Sequence, residues 1–298
     1  MFLGDKEGAH ATSTIRVMAG GGTWAMRTRP VPHALRELVL RYGGFEEGAH
    51  LALTRREMPY AGTPLILTFG APYLLSEAID PDRPAVSRRS FVAGIHETRT
   101  TSKTTGATWT VQIDLTPIGA YRIIGLPMIE LTNRVVDAVE VLGPSILEFE
   151  QRLYHALTWE ERFDIIDTYL LHRLDRGPRE SPEITWVWRQ LRAAHGDIEI
   201  SALGEELQWS RKRLTRTFRD QLGVGPKMAG RILRFQRLLA LDRSFPGASW
   251  SDLALRSGYF DQAHLIREFR EFTGITPGAY RQLDRGIGLV ESVEAFAG

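Results

Sequence analysis

The sequence predicts an α+β N-terminal domain, β-rich with flanking helices, followed by an all-α domain built from two helix-turn-helix units. Three observations carry this. Before about Gly125, short runs of β-branched and aromatic residues are separated by Gly, Pro and Thr clusters, the punctuation of strands. Beyond Glu183 strand signals stop and apolar residues recur at helical spacing. Within that second part the chain repeats itself at an offset of 51 residues.

The bounds set by the whole chain agree. A length of 298 residues exceeds what one core usually fills, so two domains are expected. With 43% hydrophobic and 24% charged residues the composition is that of a globular protein, neither fibrous nor disordered. The net charge of +1 conceals an asymmetry: residues 200–282 hold 14 Lys and Arg against 8 Asp and Glu, a local net of +6. The absence of cysteine excludes disulfides, thiolate metal sites and cysteine nucleophiles, and fits a reduced, cytoplasmic compartment. Met1 to Gly22 does not read as a signal peptide. The uncharged run Met58 to Ser76 is interrupted by Pro59, Gly62, Pro64, Gly70 and Pro72, so no membrane-spanning helix is expected there.

In chain order, the spacing predicts a helix over His33 to Tyr42 and strands over Leu51 to Thr54, Pro64 to Phe69, Ser90 to Gly94 and Thr108 to Leu115. The last strand places Trp109, Val111, Ile113 and Leu115 on one face. Helices follow over Ser145 to Leu157 and Glu160 to Leu174, the second turning Leu170, Leu171 and Leu174 toward a core. Asp175 to Pro182, with Gly177, two prolines and four charges, reads as an exposed linker. Helices are then predicted over Glu183 to Ala194, Ser201 to Gln208, Arg211 to Leu222, Pro226 to Asp242, Ser251 to Ser257, Gln262 to Thr273 and Pro277 to Leu283. The expected domains are therefore 1–176, a linker 177–183, a helical domain 184–284 and a tail 285–298.

The repeat aligns Ser210 with Asp261, Leu214 with Leu265, Arg216 with Arg267, Phe218 with Phe269, Arg219 with Arg270, Gly223 with Gly274, Val224 with Ile275 and Pro226 with Pro277. Ser210 and Asp261 are N-cap types whose side-chain oxygens accept from free backbone N–H groups. Leu214 with Phe218, and Leu265 with Phe269, form an inward stripe at four-residue spacing. Gly223 and Gly274 end each helix by adopting a left-handed conformation. A short helix, a tight turn and a longer capped helix with outward basic residues is the helix-turn-helix arrangement, in which the second helix reads a groove. Pro226 to Asp242, at 1.5 Å per residue, forms a strut of about 25 Å between the units.

The segments "SRKRLTRTFRDQLGVGPK" and "LALRSGYFDQAHLIREFREFTGITPGAYR" resemble the AraC/XylS family of bacterial transcription regulators over about Ile184 to Leu283. The resemblance implies a DNA-binding domain of seven helices. It carries contacts to double-stranded DNA onto Lys212, Thr215 and Arg216 in the first unit and Gln262, Ala263, Ile266 and Arg267 in the second. Arg216 and Arg267 suit guanine, Gln262 suits adenine, and Ala263 or Ile266 suit a thymine methyl. Phosphate contacts are expected from Arg219, Arg270, Tyr280 and Arg281. Gly204 departs from the usual alanine and would loosen its short helix. The N-terminal half resembles, more loosely, the sensor segments of some members, through "PLILTFGAPY" and "IDLTPIGAYRIIGLPMIELTNRVVDAVEVLG". It implies a domain that binds an unknown small effector or pairs two copies. RNA polymerase is the further partner implied, and activation the commoner outcome.

Other chemistry finds no support in the sequence. His33, His50, His96, His155, His172, His195 and His264 have no metal-ligand spacing, and no cofactor is expected. Asp164 with Asp167, and Glu160 with Glu161, read as solvated helix charges. No nucleophile elbow, phosphate loop or dinucleotide fingerprint occurs, so an enzyme is not expected. Trp109, Tyr73, Phe69 and Tyr121 either line a pocket or fill a small β core. The rival readings are an N-terminal domain that is purely structural and one that carries an enzymatic activity. Missing cysteines exclude an alkyl-transfer version of the second, and missing metal spacing disfavours an oxygenase.

Overall fold

A computed structural model describes residues 12–19, 22–48, 54–77, 84–104 and 106–284. The expected tail 285–298, residues 51–53 of the strand expected at 51–54, His50, and residues 1–11 and 20–21 of the N-terminal stretch lie outside the described residues. Among the described residues eleven strands come first: β1 (Ser13–Ala19), β2 (Gly22–Thr28), β3 (Val39–Glu47), β4 (Thr54–Glu57), β5 (Thr63–Gly70), β6 (Tyr73–Glu77), β7 (Val86–Arg88), β8 (Ser90–Ala93), β9 (Thr100–Thr104), β10 (Thr108–Leu115) and, after the first helix, β11 (Val135–Asp137). They form a seven-stranded sheet in the order β1-β2-β3-β10-β5-β8-β11 and a four-stranded sheet in the order β4-β9-β6-β7. All pairings are antiparallel.

Alternation along the strands sorts the two faces of the larger sheet. Leu65 and Leu67 on β5, Val92 on β8, and Val111, Ile113 and Leu115 on β10 point into the main core. The opposite face meets the smaller sheet through a mixed layer. Tyr73 packs on Phe91 at 6.0 Å, Arg55 pairs with Glu47, and the Thr104 hydroxyl donates to Glu47 at 2.7 Å.

The helices α1 (Pro117–Ile124), α2 (Ala138–Leu142), α3 (Ser145–His155) and α4 (Trp159–Arg176) cover the apolar face of the larger sheet. The Thr116 hydroxyl caps α1 by accepting the Gly119 N–H at 2.9 Å, and Thr158 caps α4 by accepting from Glu161 at 3.2 Å. Trp159 packs against Gly44 of β3, where a Cβ would stand 1.8 Å from the indole. Asp164 and Asp167 are not idle surface charges: both pair with Arg29, and Asp167 also accepts the Tyr42 hydroxyl at 2.8 Å, tying α4 to the sheet.

The helix expected over His33 to Tyr42 does not form. Residues 33–42 hold one 3-10 turn, His33–Leu35, and then enter β3. Leu35, Leu38, Val39 and Tyr42 do bury, but β3 is paired on both sides, by β2 and β10, and that ladder overrides the local helical spacing. The segment expected as an exposed linker is held to the helices on either side. α4 runs to Arg176, Gly177 packs so closely on the Arg122 carbonyl that a Cβ would stand 1.7 Å from its oxygen, Glu180 pairs with Arg122, and the Ser181 N–H donates to Gln221 at 3.0 Å.

The remainder is helical: α5 (Pro182–Ala193), α6 (Ile200–Glu206), α7 (Arg211–Leu222), α8 (Pro226–Ser244), α9 (Trp250–Ser257), α10 (Gln262–Thr273) and α11 (Pro277–Asp284). The core of this half is continuous with that of the first, because α7 packs on α1 and on the 3-10 turn Met128–Leu131. Among the described residues no helix is long and apolar enough to cross a membrane.

Candidate nucleic-acid interface

Each unit is assembled by short-range chemistry. Ser210 Oγ accepts the Arg213 N–H at 3.2 Å, and Asp261 Oδ1 accepts the His264 N–H at 2.7 Å, so α7 and α10 start at the expected caps. Leu214, Phe218, Leu265 and Phe269 are all buried, each contributing roughly 1.5–3 kcal/mol of apolar burial. Gly223 and Gly274 close the helices at φ 90° and 72°. The turns that precede α7 and α10 also use left-handed backbone, at Gln208 (φ 54°) and Gly258 (φ 85°). Gly204 does not loosen α6. It is buried, accepts the Trp209 N–H at 2.9 Å, and a Cβ there would stand 3.2 Å from the Trp209 carbonyl oxygen.

On the outward faces, Lys212, Arg216 and Arg219 of α7 are exposed and Thr215 is half-buried. The matching face of α10 exposes Gln262, Ala263, Arg267 and Arg270, with Ile266 half-buried. Ala263, Ile266, Arg267, Arg270 and Glu271 line one shallow concavity. Among the described residues, Lys212, Arg216, Arg219, Arg267 and Arg270 form no ion pair, so their charges face solvent. Such a face attracts a polyanion.

Two expected contacts lie elsewhere. Arg281 turns inward: its Nε donates to Asp242 at 2.7 Å, its Nη2 to the Ala248 carbonyl at 2.9 Å, and the guanidinium lies 4.0 Å from the Trp250 ring centroid. It ties α11 to α8 and α9. Tyr280 is buried against Phe269 at 5.4 Å. Both serve the joint between helices, which a motif match cannot distinguish from a surface contact.

One residue escapes sequence reading although the repeat contains its signal. Trp209 and Phe260 occupy the same repeat position, just before the cap. Trp209 is half-buried and carries the Arg213 guanidinium 4.1 Å from its centroid, whereas Phe260 is 86% exposed. The difference arises because Tyr259, one position earlier, fills the core of the second unit.

Residues 203–283 match a family model described as a helix-turn-helix domain. That stretch includes both capped helices and the segments that resemble the AraC/XylS motif. The helical half thus contains an AraC-type helix-turn-helix domain. A second model, described as a domain of unknown function (DUF6597), matches residues 27–137. Curated relatives include an uncharacterized HTH-type transcriptional regulator of Staphylococcus aureus (strain MSSA476), 33% identical over 87 residues, which is 29% of this chain and 12% of that one. The chain thus matches only about an eighth of the length of those relatives. Among solved structures, ToxT from Vibrio cholerae O395 is similar over 85% of this chain and 100% of its own at 8% identity, with a TM-score of 0.45. The AraC-like transcriptional activator CuxR is similar over 77% of this chain and 86% of its own, at 17% identity and a TM-score of 0.31.

Proposed function

We propose that the chain is a sequence-specific regulator that binds double-stranded DNA, with α7 and α10 entering two successive major-groove segments. The observation that carries the reading is the repetition itself: two capped helices present unpaired basic and polar side chains at equivalent positions. Lys212, Thr215, Arg216, Gln262, Ala263, Ile266 and Arg267 read bases; Arg219 and Arg270 hold phosphates. Phe260, exposed beside the cap of α10, adds an apolar contact to a thymine methyl or a sugar. DNA occupancy then presents the regulator to RNA polymerase, with activation the expected sign.

Effector control is the second part of the proposal. Between the two sheets Arg55 is buried and paired with Glu47, and its Nη1 has no hydrogen-bond partner among the described residues. A buried donor left unsatisfied is costly, and a small polar effector lodged there would relieve it. An effector that binds one domain arrangement better shifts DNA occupancy.

The test is selection of sites from a random duplex pool at fixed salt with the full chain and a Lys212→Ala/Arg216→Ala/Arg267→Ala variant. Two enriched blocks about one turn, ~34 Å, apart and lost in the variant are expected. No enriched motif overturns the reading. Unchanged DNA affinity across a panel of small polar metabolites overturns the effector part.

A further inference from the structure

Both proposed reading helices end in a glycine with positive φ, and the N-terminal domain holds both ends. The Thr132 hydroxyl, just past the 3-10 turn Met128–Leu131, donates to the Gly223 carbonyl at the end of α7 at 2.7 Å. The backbone N–H of Arg99, in the β8–β9 connection, donates to the Phe272 carbonyl in the last turn of α10 at 2.9 Å. Carbonyls at a helix C-terminus have no partner within the helix, so each bond satisfies an orphan acceptor with a donor from the other domain. A third bond, from the Ala61 N–H to Gln236 Oε1 at 3.2 Å, fixes the strut α8 to the same domain.

The two donor loops are joined to each other. Asn133 Oδ1 accepts the Glu97 N–H at 2.8 Å, its Nδ2 donates to Glu97 Oε2 at 3.2 Å, and its own N–H donates to the Ile95 carbonyl at 3.0 Å. Asn133 does this from left-handed backbone at φ 58°, a conformation asparagine tolerates better than most residues. Gly94 lies so close beneath Leu131 that a Cβ would stand 1.9 Å from the Leu131 carbonyl oxygen. The strand ends, the 3-10 turn and both donor loops therefore form one stiff piece that touches α7 and α10.

We infer that the N-terminal domain is a jig that sets the separation and relative rotation of the two reading helices, with Thr132 and Asn133 as its positioning residues. This rests on the reading of α7 and α10 as DNA readers. It adds that the spacing between the two DNA blocks is fixed by the β domain rather than by α8 alone. One inserted base pair moves the second block by about 3.4 Å and turns it by about 34°. A stiff pair of readers loses one unit's contacts when that happens. A pair joined only by α8 and its flanking turns follows the displacement at small cost.

The experiment compares the full wild-type chain with Thr132→Val, Asn133→Ala, Gln236→Ala and Thr132→Ser, each checked for a wild-type thermal transition. The probes are duplexes carrying the two selected blocks at the selected spacing and at one and two base pairs more or fewer. Wild type is expected to lose about tenfold or more in affinity per shifted base pair, and Thr132→Val with Asn133→Ala about threefold or less, with block sequences unchanged. Thr132→Ser keeps the donor and should keep the wild-type profile. A spacing profile unchanged in the valine and alanine variants, or a uniform change at every spacing, overturns the jig alone. A wild-type chain that selects no two-block site overturns the DNA reading and the jig with it.

Discussion

Glu268 on α10 and Arg231 on α8 meet at 2.7 Å, with the carboxylate side chain 4% exposed. Arg234 stands 3.8 Å from the same oxygen, and the Arg231 guanidinium lies 5.0 Å from the Phe272 centroid. The second reading helix is thus fixed to the strut by a charge held inside an aromatic joint. Glu268→Ala leaves two cations facing an apolar joint and should cost about 2–4 kcal/mol in urea unfolding, a little below a fully buried pair because Arg231 reaches solvent. Glu271, the exposed second partner of Arg231, gives the contrast: Glu271→Ala should cost less than about 1 kcal/mol. Equal costs for the two would refute this account of the joint.

Gly44 and Trp159 set the spacing between sheet and helices. A Cβ at Gly44 would lie 1.8 Å from the indole, so Gly44→Ala must push α4 away from β3. Overpacking of that kind should destabilise by about 1–3 kcal/mol or more, read as a lowered thermal midpoint. Gly247, where an added Cβ meets nothing within 4 Å, should accept alanine within about 0.5 kcal/mol.

These joints mark what the sequence made legible. The helix-turn-helix units were readable because their chemistry is local: a cap lies three residues from its donor, and Leu214 lies four from Phe218. The bounds Arg211–Leu222 and Gln262–Thr273 fall where caps and glycines place them. The β half was less readable because its decisions are made across the chain. Val39 to Glu47 carries helical spacing at its start, yet becomes a strand because two distant strands pair with it. Of the four aromatics expected to line a pocket or fill a small β core, Phe69 and Trp109 stack at 3.8 Å on the helix side, Tyr73 lies between the sheets and Tyr121 sits on α1. Arg281 matched a phosphate-contact position, and only the placement of Asp242 reveals its inward turn.

His195 occupies left-handed backbone, φ 50°, between α5 and α6. Partial desolvation of this mostly exposed ring first, and the positive charge of Arg237 second, hold its imidazole below the usual pKa. The folded state therefore favours the neutral ring. The associated stability is fully present above the unfolded pKa of about 6.5 and is lost as pH falls through the lower folded value. His195→Asn retains a residue suited to this backbone and removes the titration. Between about pH 8 and about pH 5 the thermal midpoint of the variant should fall less than that of wild type. Parallel curves would show that the ring contributes nothing to the acid response.

The proposed roles of the exposed arginines separate on two kinds of DNA. Arg216→Ala or Arg267→Ala removes a fork able to bond guanine twice, and should cost about 1–3 kcal/mol at the selected site while relaxing preference at one base. Arg270→Ala removes a phosphate contact and should weaken selected and random duplexes alike, lowering the salt slope by about 1. Phe260→Ser should leave the unfolding midpoint unchanged, because the ring is 86% exposed, and still weaken the selected site more than random DNA. Losses for Arg216→Ala and Arg267→Ala that are equal on both duplexes would reassign those two side chains from bases to phosphates. Selected-site binding unaffected by Phe260→Ser would leave the exposed ring to some contact other than DNA.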